Sequence, residues 1–315
     1  MLEPRLGARI EEKKTRLDGL RPLPSAALRR LQEQLTIEWI YNSNAIEGST
    51  LTLRETQLIL EQGITIGGKT LREHFEVVNH QEAIHLVESL ASNQEPISVF
   101  DLRQLHALVL ARIDDQNAGR YRDVPVRIAG ATHEPPPAWE IESRMHDWAT
   151  WLQDRADTTD PVTLAAIAHH KLVAIHPFID GNGRTARLVM NLILMRAAYP
   201  PAIIAQVNRR QYYRVLSQAD AGSPGPLVNF VGRAVERSLT LYLEACTPQT
   251  EPPPAEDEWI PLKEAAEFAP YSQEYLSLLA RTGRLEAIKR GRVWHTSRRA
   301  LQVYLASVGT RSHDK

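Results

Sequence analysis

Apolar residues recur at helical spacing through most of this 315-residue chain ahead of its last quarter. The series are Leu28, Leu31, Leu35, Trp39 and Ile46; Leu86, Val87 and Leu90; Leu164, Ile167, Leu172 and Ile175; and Leu188, Leu192 and Met195. A period near 3.6 puts each series on one stripe of a helix, and such a stripe is stable only when buried against another element. The pattern predicts a mainly α body. The length allows about two domains, and the break is predicted at Thr247 to Glu258, where TPQTEPPPAEDE holds four prolines, four acids and no aliphatic side chain larger than Ala. That stretch reads as a linker stiffened by Pro252, Pro253 and Pro254. It divides the chain into 1–246, the linker 247–258 and a tail, 259–315.

Several classes are excluded early. The lone Cys246 supports neither an intrachain disulfide nor a cysteine zinc site, so a reducing, cytoplasmic location is expected. The opening residues have neither a basic nor an apolar signal-peptide region. The most apolar stretch, Leu188 to Val207, carries Asn191, Arg196 and Pro200-Pro201, so it reads as a buried helix and a turn rather than a membrane span. The net charge of −1 is a sum of opposites. Residues 259–315 hold ten Lys/Arg against five acids, a net of +5, which leaves 27 basic and 33 acidic residues, or −6, for the rest.

The helical pattern is interrupted at Gly119 to Pro137 (GRYRDVPVRIAGATHEPPP). Val124, Val126 and Ile128 alternate with Pro125 and Arg127, Gly130 offers a turn, and three prolines end the run. This predicts a short β-hairpin on a helical body, without sheet partners of its own and open to transient pairing.

The chemistry concentrates in His176 to Arg187, HPFIDGNGRTAR. A helix over about Val162 to Ile175 is stopped by His-Pro, and Gly181-Asn182-Gly183 opens another from Arg184 to about Arg196. Glycines on both sides of Asn182 let successive N–H groups converge at a helix N-terminus, which favours an anion. Arg184 and Arg187, three apart, project from one side of that turn. Two arginines at a positive helix end are unfavourable unless an anion joins them. Asp180 is the neighbouring carboxylate that a phosphate-bound Mg²⁺ would need, and His176 is the side chain suited to general base work near neutrality. The site reads as a phosphoryl- or nucleotidyl-transfer centre. His169 and His170 lack the H-E-x-x-H spacing of a metal site, and Asn79-His80 reads as structural.

These residues match HPFxxGNGRxxR at every fixed position, and by that pattern the chain resembles the Fic (Fido) family over about residues 30–245. The resemblance implies transfer of AMP from ATP to a Ser, Thr or Tyr hydroxyl of a protein, with release of pyrophosphate. It implies His176 as base, Asp180 as Mg²⁺ ligand, Gly181, Asn182 and Gly183 as phosphate cradle, Arg184 and Arg187 on the β and γ phosphates, and Phe178 as an anchor in the core. The segment Val124, Pro125, Val126, Arg127 and Ile128 resembles the flap that clamps a target by strand addition. Tyr212 and Tyr213 fall where the family lines its base pocket. Asp220 stands where Asn is commoner, which opens the base identity to another nucleotide or moiety.

A second motif opposes the first. Ser43 to Gly48 reads SNAIEG, with Ser43 and Glu47 on one helix face and Gly48 as the helix stop. A carboxylate in the last turn is at the unfavourable end of the helix dipole, so a cation is expected beside it. The [ST]xxxE[GN] pattern resembles the inhibitory helix of Fic proteins, here about residues 28–48, and implies that Glu47 pairs with Arg187 and turns the γ-phosphate away. Glu47 could equally orient a water for the reverse reaction, removal of AMP. Resemblance to relatives with such helices also implies a homodimer.

In the tail, Leu262, Ala265 and Ala266 form one apolar face, Pro270 and Ser272 a turn, and Tyr275 to Ala280 a helix. A hairpin turning at Lys289-Arg290-Gly291-Arg292, with Trp294 on its return strand, leads to a closing helix near Arg298. The order resembles an excisionase/MerR-like winged helix, and the charge suits phosphate contact. The expected fold is thus mainly α, a Fic/Fido helical fold with a hairpin flap and a small C-terminal winged helix-turn-helix. The alternatives are a winged helix that docks protein rather than DNA, and a DNA-binding regulator whose Fic core senses nucleotide.

Overall fold

The computed structural model describes residues 1–93, 95–128, 133–246, 259–269 and 271–309. It divides into two compact units, Met1–Thr247 and Pro248–Lys315. The Thr247–Glu258 linker, the Gly130 turn and Pro270 lie outside the described residues.

Among its described residues the large unit is a bundle of ten α-helices: α1 (Pro4–Gly19), α2 (Ser25–Glu47), α3 (Leu53–Gln62), α4 (Leu71–Ser92), α5 (Val99–Leu110), α6 (Ile141–Arg155), α7 (Pro161–Ile175), α8 (Asn182–Arg196), α9 (Arg209–Asp220) and α10 (Gly225–Cys246). Its helix starts follow local chemistry. Thr52, Thr70 and Ser98 each open a helix with a reciprocal capping box, closed by Glu55, Glu73 and Asp101, which satisfies two otherwise orphaned N–H groups at each start. The centre of the bundle is α8, buried without a break from Arg184 to Leu194. Its polar Asn191 is tolerated because its amide exchanges hydrogen bonds with the Ala202 backbone, at 2.7 and 3.1 Å. Around α8 pack α7, α4, α5 and α2, and α1 lies along α10 through Leu6 and Ile10 over Gly232. None of the described helices is long and apolar enough to cross a membrane.

The hairpin expected at Gly119 to Pro137 is corrected. Residues 125–128 and 133–137 carry no strand, and none of the backbone–backbone hydrogen bonds among the described residues involves Asp123 to Ile128. A two-stranded ribbon with no sheet or helix to cover it has little to stabilise it.

The small unit places β1 (Ile260–Pro261) before α11 (Leu262–Ala265), then α12 (Gln273–Arg281), β2 (Ala287–Arg290), β3 (Val293–Thr296) and α13 (Arg298–Gly309). The sheet order is β1-β3-β2, antiparallel throughout. Ser272 caps α12 by accepting from the Tyr275 N–H. Trp294 sits opposite Lys289 on the return strand, and Gly291 turns the hairpin at φ +61°. Leu262, Leu276, Leu279, Leu285 and Leu301 form a core of their own. Arg281, Arg284, Lys289, Arg290, Arg292, Arg298 and Arg299 remain exposed.

Candidate active site

The site is built at the junction of α7 and α8. His176 ends α7 in the left-handed region (φ +50°, ψ +59°), a strained conformation for a residue with a Cβ. Pro177 follows and prevents further helix. The loop is pinned from below. The Phe178 ring is fully buried and stacks on His106 at 3.6 Å between ring centres. The Asn182 side chain then closes the loop, accepting from the Phe178 N–H at 3.0 Å and donating to its carbonyl at 2.8 Å. Gly181 takes φ +76°, and a Cβ there would press on His106 and Val109. The Asn182 side chain is thus consumed in shaping the loop, and the cradle expected at Gly181, Asn182 and Gly183 is left to backbone N–H groups. Within α8 the first backbone bond is Thr185 N–H to Gly181 O, so the N–H groups of Asn182, Gly183 and Arg184 are the unpaired donors of a helix start.

The His176 ring accepts no strong partner. Its Nδ1 donates to the Val173 carbonyl at 3.3 Å, which leaves Nε2 with its lone pair. Burial is the main influence on the imidazole and, together with the Arg122 charge, pushes its pKa below the ordinary value against the Val173 contact. The neutral form that a base requires is favoured.

Asp180 is enclosed by cations. Its Oδ1 accepts from the Gly181 N–H at 2.6 Å and lies 3.3 Å from Arg184, while Oδ2 is bound by Arg72 of α4. Burial alone would raise its pKa; the Arg184 charge, the Gly181 N–H and Arg72 outweigh it and hold the carboxyl below the usual carboxylate range. No cluster of three metal-ligating side chains occurs among the described residues. A single carboxylate beside an anion cradle suits a Mg²⁺ that takes its remaining ligands from phosphates and water. The residues fit that ion once Arg72 moves aside.

Arg184 and Arg187 are both buried, which is rare for arginine unless paired. Arg184 reaches Glu76 at 3.2 Å and Asp180. Arg187 is bound by Ser43, with Nε 3.1 Å from its Oγ and NH2 2.8 Å from its carbonyl, and NH2 also lies 2.8 Å from Glu47 Oε1. Burial would lower the Arg187 pKa, but the Glu47 charge reverses the sign and raises it. Among the described residues its NH1 has no hydrogen-bond partner, nor does Arg184 Nε, while Arg184 NH1 has only its ion pair with Glu76. Glu47 is the last residue of α2, before Gly48 at φ +110°, and its carboxylate covers Gly183 so closely that a Cβ there would collide with Oε1.

Burial revises one nucleotide-site expectation. Tyr212 is 1% exposed and its hydroxyl lies 2.8 Å from His169 Nε2, so it supports the core beneath Arg187 rather than offering a face to a ligand. Tyr213 is the exposed member, with the Arg209 guanidinium 5.0 Å above its ring. Asp220 ends α9, its Oδ1 2.8 Å from His170 Nε2.

Four residues that sequence reasoning missed join the site. His106 donates from Nε2 to the Asp180 carbonyl and accepts from the Gly119 N–H; burial lowers its pKa to about 4, so it stays neutral. Arg72 holds Asp180. Arg209 donates to the Ile46 carbonyl at 2.7 Å, placing a second cation at the end of α2 that carries Glu47. Arg122 contacts the His176 carbonyl. Each comes from another helix or loop, so no local spacing signals it.

Fold and site together define a helical protein that offers an anion cradle, two buried arginines and a neutral histidine at one helix junction. The Fic/DOC family profile matches residues 96–194. A protein adenylyltransferase Fic of Nematostella vectensis is 41% identical over 241 residues, 76% of this chain and 56% of the relative. A Fic-domain signalling protein from Bacteroides thetaiotaomicron superposes with a TM-score of 0.73 at 30% identity, covering 76% of this chain and 96% of that one. A Fic family protein from Desulfovibrio desulfuricans covers 94% of this chain and 97% of its own, at TM-score 0.65 and 25% identity. The chain belongs to the Fic family. It spans about half the length of the curated relatives it matches.

Proposed function

We propose that this protein transfers AMP from ATP to a hydroxyl side chain of a protein, itself included, and that Glu47 holds the activity down. The observation that carries the reading is the junction itself: unpaired N–H groups of Asn182 to Arg184 and the partnerless Arg187 NH1 beside a neutral His176. Buried donors without partners are costly, and a polyphosphate would satisfy them together.

In this reading Arg184 and Arg187 hold the outer phosphates, and the Gly181-Asn182-Gly183 backbone orients the chain of phosphates. Nε2 of His176 takes the proton of the attacking hydroxyl as its oxygen bonds to the α-phosphorus and pyrophosphate departs. Asp180 would hold Mg²⁺, which when bound neutralises phosphate charge. Positioning and charge stabilisation then supply most of the acceleration. Residues 124–128, free of strand pairing and with only the Val124 carbonyl held, by Arg122, among the described residues, are suited to pairing with a target segment. Glu47 competes with the γ-phosphate for Arg187, and the same carboxylate could orient water for AMP removal. Tyr213 lines the base. Asp220 only accepts, so it matches a base edge that donates, such as the adenine amino group, and competition by other nucleotides checks that choice.

For the C-terminal unit we propose a DNA-binding winged helix, supported by the exposed basic residues around its hairpin. A cytoplasmic location accords with a lone buried thiol, and a homodimer rests on the family likeness; sedimentation tests it. The test of the main reading is transfer of labelled AMP to protein by Glu47→Gly and its loss in Glu47→Gly/His176→Ala. Saturable ATP binding with no transfer by either would favour a nucleotide sensor.

A further inference from the structure

Arg122 lies in the loop between α5 and α6, next to the flap residues, and is 3% exposed. Its contacts reach three separate stretches of backbone. Nε donates to the His176 carbonyl at 2.8 Å, NH1 to the Val124 carbonyl at 3.0 Å and NH2 to the Pro136 carbonyl at 2.6 Å. Its own N–H donates to the Pro177 carbonyl at 2.9 Å. All of these acceptors are carbonyls; no carboxylate pairs with it among the described residues. Burial accordingly lowers its pKa.

A buried guanidinium without an anion is an expensive way to stabilise a fold, because its desolvation is not repaid by an opposite charge. What it provides is geometry. The planar fork of Arg presents several N–H donors in fixed directions, and here they fall on both arms leading to the flap and on the peptide that sets the strained backbone of His176. We propose that Arg122 is a positioning residue, which ties the base of the target-pairing segment to the His176 loop so that a strand held by residues 124–128 is presented in register with Nε2. The inference rests on the transfer reading above and adds a part to it. The position of the target strand and the position of the base are fixed by one side chain rather than by two independent loops.

The test compares Arg122→Gln and Arg122→Lys with their parent, the full-length Glu47→Gly protein. Lys keeps the charge but, as a point donor, cannot span the three carbonyls. The expected result is a melting temperature changed by less than about 4 °C and ATP-analogue affinity unchanged. Self-modification falls about 10- to 100-fold, the scale of a misplaced reacting group, in kcat rather than in KM for ATP. Tryptic cleavage after Arg127 and amide exchange at His176 and Phe178 should both accelerate, since one tie serves both segments. The proposal is overturned if cleavage accelerates while loop exchange does not, if neither changes, or if Arg122→Lys restores full transfer. It is also overturned if nucleotide affinity falls in step with transfer, which would mean general collapse of the loop. Should the Glu47→Gly parent itself transfer nothing, the functional reading fails, while cleavage and exchange still decide whether Arg122 joins flap and loop.

Discussion

Removing the Glu47 carboxylate should release Arg187 to a phosphate, and the structure sets the size of the effect. The pair is 2.8 Å apart, with the Arg187 side chain 3% exposed and that of Glu47 33% exposed. This half-open geometry argues against the full cost of breaking a buried pair and for the value of a charge-assisted hydrogen bond, about 1.5–3 kcal/mol. A γ-phosphate must overcome that preference to reach Arg187. At about 1.4 kcal/mol per tenfold, its removal in Glu47→Gly should raise the initial rate of self-modification about 10- to 150-fold. Arg187 stays aimed, because both of its contacts to Ser43 remain. Glu47→Ala should match Glu47→Gly, since the effect belongs to the carboxylate and not to the helix end, and Glu47→Gln should fall between. ATP should also raise the melting temperature more in Glu47→Gly than in the parent, because it repartners a buried cation. The assay is incorporation of label from [α-³²P]ATP at saturating Mg²⁺ and equal protein concentration. Equal rates for Glu47→Gly and the parent, or activation by Gly but not by Ala, would refute the argument.

Other outcomes follow from the same geometry. Transfer by Glu47→Gly requires neutral His176, whose pKa is lowered from 6.5, so the rate should hold through neutrality and fall only in an acid limb with its midpoint below 6.5; a midpoint above it would contradict the buried-base assignment. Arg72→Ala should lower the Mg²⁺ concentration that half-saturates nucleotide binding, because Arg72 occupies the Asp180 Oδ2 that the ion needs; an unchanged Mg²⁺ dependence would remove Arg72 from the site. Phe178→Ala should cost about 3–5 kcal/mol of stability by denaturant unfolding, given its full burial against His106. A fragment starting at Trp259 should shift duplex DNA in a gel, with binding weakening steeply as salt rises, whereas no shift at low salt would favour protein docking.

The part of the site written in consecutive residues was legible from sequence. His176 to Arg187 encode a helix stop, a glycine-bounded turn and a helix start whose spacing alone brings base, carboxylate and arginines together, and the three-dimensional arrangement follows from that order. Glu47 was legible because its helix ends at Gly48 and an unfavourable carboxylate there calls for a cation. What stayed hidden depends on contacts between distant segments. Arg122 lies 54 residues from His176 and Arg72 lies 108 from Asp180, and a single Arg, in a loop like Arg122 or on a helix like Arg72, has no local signature. The alternation at 124–128 suggested a paired strand where the described residues show no pairing, since periodicity reports which way side chains point and not whether a neighbouring strand exists. Tyr212 and Tyr213 are adjacent, yet helical rotation buries one and exposes the other, which an aromatic pair in sequence cannot distinguish. Asn182 shows the same limit: its place in the motif was plain, while the use of its side chain on Phe178 emerged only from the loop closure.

The central claim is that AMP, rather than phosphate, moves from ATP to protein at the His176 junction. Parallel incubations of Glu47→Gly with [α-³²P]ATP and [γ-³²P]ATP test it most directly. The account predicts that α label is retained on the denatured protein, γ label is not, and neither is retained by Glu47→Gly/His176→Ala. Retention of γ label, or of α label when His176 is absent, would contradict it.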